Sequence, residues 1–315
     1  MNIVFLDSTA IPKHISIPRP SFPHNWVEYK YTSAEQTIER AKDADIIITN
    51  KVILSREVLQ QLPKLKLIAL TATGTDNVDL DAAKELGVTV KNVTGYSVTT
   101  VPEHVLGMIF ALKHSLAGWQ RDQITGKWTE SKQFCYFDYP ITDVKGSTLG
   151  VFGKGCLGTE VGRLAELLGM KVLYAEHRNA TTCREGYTPF EEVLKQADIL
   201  TLHCALTETT KNLINQETLS LCKKGAYLIN TGRGPLIDEQ AVCDALKSGQ
   251  LGGAALDVLV KEPPEKNNPL IELAKTMPNL IITPHIAWAS DSAVTTLTKK
   301  VTQNIEDFVQ QLNQK

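Results

Sequence analysis

The sequence of 315 residues predicts an α/β protein made of two doubly wound, parallel-sheet units of Rossmann-like type. Short β-branched runs alternate with helix-period segments along the whole chain. The runs are almost continuously apolar, as strands covered on both faces require. A glycine-rich turn, Gly153-Lys154-Gly155-Cys156-Leu157-Gly158, joins one such run to a helical pattern in mid-chain.

The first series of strands is expected at Asn2–Asp7, Asp45–Asn50, Leu65–Ala72 and Val88–Val93. A second follows at Leu149–Gly153, Lys171–Glu176, Asp198–His203, Ala226–Thr231, Gly253–Val258 and Leu280–Thr283. Helices are expected at Ala34–Ala41, Arg56–Leu62, Asp81–Leu86 and Val101–Leu116, then at Gly158–Leu168, Phe190–Gln196, Asp238–Lys247 and Ser292–Leu312. Asp238 suits an N-cap and Gly249 a stop for the helix between them. Two domains agree with a length of about 100–200 residues per domain, and the boundary is expected near the helix starting at Val101. The segment Trp119–Tyr139 is aromatic and less regular, an excursion suited to packing on a partner subunit.

Composition excludes several classes. A formal charge of -2 gives no electrostatic case for nucleic acid or an anionic membrane. Aromatic residues are too scattered for a base-stacking platform. No apolar stretch approaches the roughly 20 residues of a membrane span. Cys135, Cys156, Cys183, Cys204, Cys222 and Cys243 form no CxxC pair, which suits a reducing compartment better than a disulfide framework. Cys156 and Cys204 read as small buried hydrophobes. The opening Met-Asn-Ile-Val-Phe-Leu-Asp reads as a strand, not a signal peptide, so the expected location is the cytoplasm. No metal site is expected.

The glycine turn carries the strongest cofactor signal. Gly153 permits a tight turn, Gly155 lets a pyrophosphate approach the backbone, and Gly158 lets helix and strand pack closely. The helix N-terminus presents free N–H groups to phosphates. The next strand ends in Glu176, placed to accept from the adenosine ribose hydroxyls and to repel a 2′-phosphate. That favours NAD. Arg178, two residues on, is either a solvated loop charge or a group that accommodates NADP.

Three later strands end in polar residues that a buried sheet does not need. The first gives Asn230-Thr231-Gly232-Arg233-Gly234, where a guanidinium can grip a carboxylate at two points. The second gives Leu256-Asp257-Val258 and runs on to Glu262-Pro263-Pro264. The third gives Thr283-Pro284-His285, with His285 a candidate acid/base. Together they supply an anion clamp, a proton donor and a carboxylate to orient it, the set that keto-acid reduction requires.

On these stretches the sequence resembles the D-isomer-specific 2-hydroxyacid dehydrogenases. The resemblance rests on Ala72-Thr-Gly-Thr-Asp-Asn-Val-Asp79, the Gly153–Gly158 turn, Asn230-Thr-Gly-Arg-Gly-Pro-Leu-Ile-Asp238, Gly253-Ala-Ala-Leu-Asp-Val258 with Glu262-Pro263, and Thr283-Pro-His-Ile-Ala-Trp288. Pro284–Trp288 and Thr49-Asn-Lys-Val52 look closest to the glycerate dehydrogenase/hydroxypyruvate reductase branch.

The resemblance implies an NAD-dependent enzyme that interconverts a small 2-keto acid, hydroxypyruvate- or glyoxylate-like, and the D-2-hydroxy acid. It implies a cofactor domain over 101–284 inserted into a substrate domain of 1–100 plus 285–315, with the active site in the cleft between them. Arg233 would bind substrate, His285 would donate the proton and Glu262 would partner it. Thr73 and Gly74 would offer backbone groups to the substrate carboxylate or the cofactor. Gly153, Gly155, Cys156, Leu157, Gly158, Glu176, Thr231, Gly232, Asp257 and Trp288 would line the cofactor. By its bulk and its place three residues after His285, Trp288 is either a group that closes the cleft on substrate or an ordinary core or dimer-interface tryptophan. A homodimer is implied as well. Glu176 stands where the family more often has Asp, and Gly232 where Ala is frequent. Other readings of the scaffold are an NADP-preferring reductase and a nucleotide-sensing, corepressor-like binding protein.

Overall fold

The computed structural model describes residues 1–314; Lys315, the end of the expected C-terminal segment, lies outside them. The chain divides into two compact units, residues 1–97 with the segment from 289 onward, and residues 98–288. The junctions thus fall at Ser97/Val98 and Trp288/Ala289 rather than at 100/101 and 284/285. The cause is packing. Ala287 is buried in the same core as Val101 and Val105, and the Thr100 hydroxyl donates to the Ala287 carbonyl at 3.2 Å. His285 therefore belongs with the second unit.

In the first unit, β1 (Asn2–Phe5), β2 (Asn25–Glu28), β3 (Ile46–Thr49), β4 (Leu67–Leu70) and β5 (Thr89–Lys91) form a parallel sheet in the order β2-β1-β3-β4-β5. Ile46, Ile47 and Ile48 are fully buried in its centre, each side chain worth about 1.5–3 kcal/mol relative to exposure. β2 was not expected from sequence. It is an edge strand whose Asn25-Trp-Val-Glu28 run is mostly exposed, so it lacks the apolar continuity of its neighbours. The C-terminal helix Asp291–Asn313 packs on β4. Val294, Leu297, Val301, Ile305 and Phe308 give it an apolar stripe at helical spacing.

In the second unit, β6 (Thr148–Phe152), β7 (Lys171–Ala175), β8 (Ile199–Leu202), β9 (Ala226–Asn230), β10 (Leu251–Leu256) and β11 (Leu280–Ile282) form a parallel sheet in the order β11-β10-β9-β8-β6-β7. Alternate residues of each strand feed two cores. Leu149, Val151, Ile199 and Ile229 face the helices Thr100–Lys113 and Cys156–Leu167. Phe152, Leu200, Leu202 and Leu228 face Phe190–Gln196 and Glu239–Ser248. Both faces are covered, which is why the runs are apolar without alternation.

Some elements differ from expectation. The helix from Val101 ends at Lys113, and a second, Leu116–Ile124, begins after Ser115 adopts a left-handed conformation at φ 52°. Gln216–Leu221 and Pro269–Ala274 are helices set by their caps, Asn215 and Asn268. At under two turns they are too short to show a period. Trp119 stacks edge-on against Tyr136 and Tyr139. The buried Asp122 carboxylate accepts from both tyrosine hydroxyls, at 3.1 and 3.0 Å. The irregular segment is therefore a small packed structure of its own.

Candidate active site

The register of the second sheet sets one level for its strand ends. Ala175 pairs with Phe152, Phe152 with Leu202, Leu202 with Asn230, Asn230 with Leu256 and Leu256 with Ile282. One residue beyond that row stand Glu176, Gly153, His203, Thr231, Asp257 and Thr283. Glu176, Gly153, Thr231 and Asp257 thus emerge together at the carboxyl edge, where open α/β sheets bind ligands. The sheet order reverses direction between β6 and β8, and the glycine turn follows β6 at that switch point.

Each glycine does what the motif requires. Gly153 has φ +106°, and a Cβ there would lie 2.6 Å from the Cys204 nitrogen. A Cβ on Gly158 would lie 2.0 Å from the Gly153 carbonyl oxygen, so the helix Cys156–Leu167 seats against the turn only with hydrogen at that position. A Cβ on Gly155 would meet nothing within 4 Å, leaving the outer side of the turn open to a ligand.

Asp257 organises the loop after β11. Its side chain is only 2% exposed. Oδ1 accepts from the Thr283 hydroxyl at 2.5 Å and the Ile286 N–H at 2.9 Å, and Oδ2 accepts from the Ala287 N–H at 2.9 Å. The Asp257 carbonyl accepts from the His285 N–H at 2.8 Å. This net holds His285 at φ 55°, a left-handed conformation rare for residues with a Cβ. The Trp288 indole N–H donates to the His285 carbonyl at 2.9 Å. Trp288 thus braces the loop and packs half-buried against the core.

His285 Nδ1 donates to Glu262 Oε2 at 2.6 Å. Glu262 Oε1 accepts from the Leu259 N–H at 3.0 Å, fixing the carboxylate from its other side. His285, Glu262, Asp257 and Thr283 line one cavity of about 460 Å³. With Nδ1–H committed to a carboxylate, Nε2 is left to exchange a proton with substrate.

Arg233 follows β9 in extended backbone. The fully buried Asn230 fixes this turn by donating to the Arg233 carbonyl at 2.9 Å and accepting from the Gly232 N–H at 3.0 Å. Arg233 Nη1 donates to the Gly232 carbonyl at 2.9 Å. The Thr231 hydroxyl is buried with no hydrogen-bond partner among the described residues. Such an orphan is costly unless a ligand group meets it.

A family model, the NAD-binding domain of the D-isomer specific 2-hydroxyacid dehydrogenases, matches residues 106–287. The chain belongs to the D-isomer specific 2-hydroxyacid dehydrogenase family. Its relatives include a Haemophilus influenzae protein described as a candidate 2-hydroxyacid dehydrogenase, 82% identical over the full length of both chains. The glycerate dehydrogenase of Methylorubrum extorquens is 46% identical, covering 98% of this chain and 96% of that one. The hydroxypyruvate reductase of Blautia hydrogenotrophica is 37% identical, covering 88% and 86%. Among solved structures, the D-lactate dehydrogenase of Aquifex aeolicus, complexed with NAD and lactic acid, superposes with TM-score 0.82 at 29% identity, covering 98% and 96%. The family consists of oxidoreductases, and the open face of Gly155 with the orphaned Thr231 hydroxyl fits the dinucleotide its second unit is named for.

Several candidate residues stand differently from their sequence reading. Cys156 is exposed at the start of its helix and Cys204 only half-buried, whereas Cys222 and Cys243 are the buried thiols. Cys156 opens its helix next to the exposed Gly155, and Cys204 lies in the loop after β8, two residues past the buried Leu202. The Glu176 carboxylate is buried and already engaged by Arg184, a partner the sequence reading did not single out. Arg178 pairs with Glu217 at 2.8 Å. Asp257 directs its carboxylate at the His285 loop instead of outward. Thr73 and Gly74 lie in the first unit after β4, where the Thr73 hydroxyl donates to the Val93 carbonyl at 2.8 Å. Asn230 and Thr283 sit inside two of the motifs, and their side chains fix the Arg233 turn and the Asp257 carboxylate. Among the described residues there is no cluster able to hold a metal ion, and no helix long and apolar enough to cross a membrane.

Proposed function

We propose that this chain is an NAD-dependent reductase of a small 2-keto acid, hydroxypyruvate or glyoxylate, forming the 2-hydroxy acid, the D isomer from hydroxypyruvate, and running in reverse when product is abundant. The observation that carries this reading is the His285–Glu262 pair at 2.6 Å, on a loop locked by Asp257 at the same sheet edge as Arg233. The glycerate dehydrogenase and hydroxypyruvate reductase among its relatives support the substrate class. The Gly153–Gly158 turn, Cys156, Leu157, Thr231 and Gly232 would hold the dinucleotide. When bound, NADH supplies the hydride that reaches C2 of the substrate. His285 Nε2 delivers a proton to the carbonyl oxygen, while Glu262 keeps the ring oriented through Nδ1. Arg233 grips the carboxylate and stabilises charge that gathers on the carbonyl oxygen. Thr73 and Gly74 would add backbone contacts to the substrate carboxylate.

We also propose a homodimer built on residues 116–141. Phe134 and Phe137 are 91% and 83% exposed there, on a segment braced by Asp122 and Lys127, and large exposed apolar side chains grouped on a fixed frame mark an interaction surface. A cytoplasmic location agrees with six free cysteines, three of them exposed.

The substrate reading is tested with a panel of 2-keto acids and NADH, using Arg233→Lys as the probe of the clamp. Lysine keeps the charge but lacks the planar fork. The expected result is turnover with hydroxypyruvate and glyoxylate, with a higher KM and lower kcat in the variant. A variant altered only in dinucleotide affinity would remove Arg233 from the substrate site.

A further inference from the structure

We propose that this chain accepts the 2′-phosphorylated dinucleotide as well as NAD, because Arg184 takes over the Glu176 carboxylate and turns the ribose edge from acceptor to donor. The inference rests on the reading of the second unit as a dinucleotide site. Glu176 follows β7, at the position from which an acidic side chain receives the ribose hydroxyls and repels a 2′-phosphate. Here its side chain is 3% exposed. Oε1 accepts from the His177 N–H at 2.7 Å and from Arg184 Nη2 at 2.6 Å. Oε2 accepts from Arg184 Nε at 2.7 Å and from the Arg184 N–H at 3.1 Å. A carboxylate offers roughly four lone-pair sites, and these four donors occupy them. No acceptor capacity remains for a ribose diol, and the negative charge is cancelled at contact distance.

The same cavity presents donors. Arg184 lies over the Tyr187 ring at 4.0 Å, and its side chain stays half exposed although it pairs with Glu176. Lys154, from the glycine turn, lies 4.6 Å over Tyr174 and 5.1 Å over Tyr187. Both lysine and arginine line the cavity with Glu176, His177 and Arg178. Lys154 and Arg184 are drawn together by Tyr187, and only Glu176 opposes them within this group. Arg178 is partnered by Glu217. Two cations against a single carboxylate suit a phosphate dianion. The loop makes this possible by folding back: the Glu176 N–H donates to the Thr188 carbonyl at 2.8 Å, bringing Arg184 alongside Glu176. Glu176 is thus a positioning residue for Arg184.

Equilibrium binding of ADP-ribose and 2′-phospho-ADP-ribose, followed by calorimetry, tests this without turnover. Wild-type protein is expected to bind the two within about tenfold of one another. Arg184→Ala uncovers the Glu176 charge and removes the donor. It is expected to weaken the 2′-phosphorylated ligand at least about tenfold while ADP-ribose changes by less than about threefold. Adding Glu176→Gln to that variant removes the repulsion and is expected to restore part of the lost affinity, which a merely structural Arg184 would not allow. Wild-type protein that binds ADP-ribose but rejects its 2′-phosphate, or an Arg184→Ala variant with an unchanged ratio, overturns the proposal and leaves the dinucleotide site standing. Binding of neither ligand by folded wild-type protein overturns both.

Discussion

The proposed site rests on a histidine, a carboxylate and a guanidinium, and each depends on neighbours that fix one atom. His285 commits Nδ1 to Glu262, so its chemistry is confined to Nε2. His285→Ala is expected to lower kcat for keto-acid reduction by at least about a hundredfold, the lower range for a general acid. Binding of NADH, followed by its fluorescence, is expected to persist because the glycine turn is untouched. Near-wild-type turnover would remove His285 from the mechanism. Glu176 makes a second residue-scale prediction. Arg184 holds its carboxyl down at about 2, against an ordinary value of 4.5. A depressed acid stabilises the fold fully above its ordinary value and loses that contribution as pH falls toward the folded value. Wild-type protein is therefore expected to exceed Arg184→Ala in thermal stability at neutral pH, and the gap to narrow from about pH 5 toward about pH 2. A gap independent of pH would mean that the pair contributes only by packing. The residue types at the strand ends were legible in the sequence because nothing in a buried sheet explains Arg233, Asp257 or His285. The Arg184–Glu176 pair was not, since it exists only once the loop between them folds back on β7.

The elements explain why those residues converge. Six strand ends share one level because the parallel pairing is continuous at their carboxyl ends from Ala175 to Ile282. The strands of both sheets were readable from their apolar runs, except the edge strand Asn25–Glu28. The short capped helices were not, because their signal is one Asn each. The loop carrying His285 is the element most exposed to failure, as its left-handed histidine is flanked by Thr283, Ile286 and Ala287, all three held by the one Asp257 carboxylate. Asp257→Ala removes three acceptor contacts and leaves buried donors unmatched, at about 1–3 kcal/mol each for any that water cannot reach. It is expected to lower both unfolding free energy and kcat, while Asp257→Asn, which keeps one acceptor oxygen, loses less of each. Unfolding in urea, measured beside turnover, checks this. Lost activity with unchanged stability would instead place Asp257 against the cofactor, as its motif implies.

For the whole molecule, the resemblance read from the motifs already implied two units and an inserted cofactor domain. The boundaries moved because Ala287 is buried with the second unit, a fact of packing that no motif encodes. The assembly has its own test. Phe134→Glu with Phe137→Glu places charge on the exposed face of the 116–141 segment and is expected to convert a dimer to a monomer in sedimentation velocity. An unchanged dimer would place the interface elsewhere. The central claim, hydride delivery to C2 with His285 as proton donor, is tested most directly by isotope transfer. Hydroxypyruvate and glyoxylate are each offered with NADH deuterated at nicotinamide C4 on either face, and the product is read by mass and chirality. One labelled face is expected to place deuterium on C2, giving the D-2-hydroxy acid from hydroxypyruvate, and His285→Ala is expected to slow that transfer without changing where the label goes. Deuterium absent from C2 with both labelled faces, or an L product, would contradict the account.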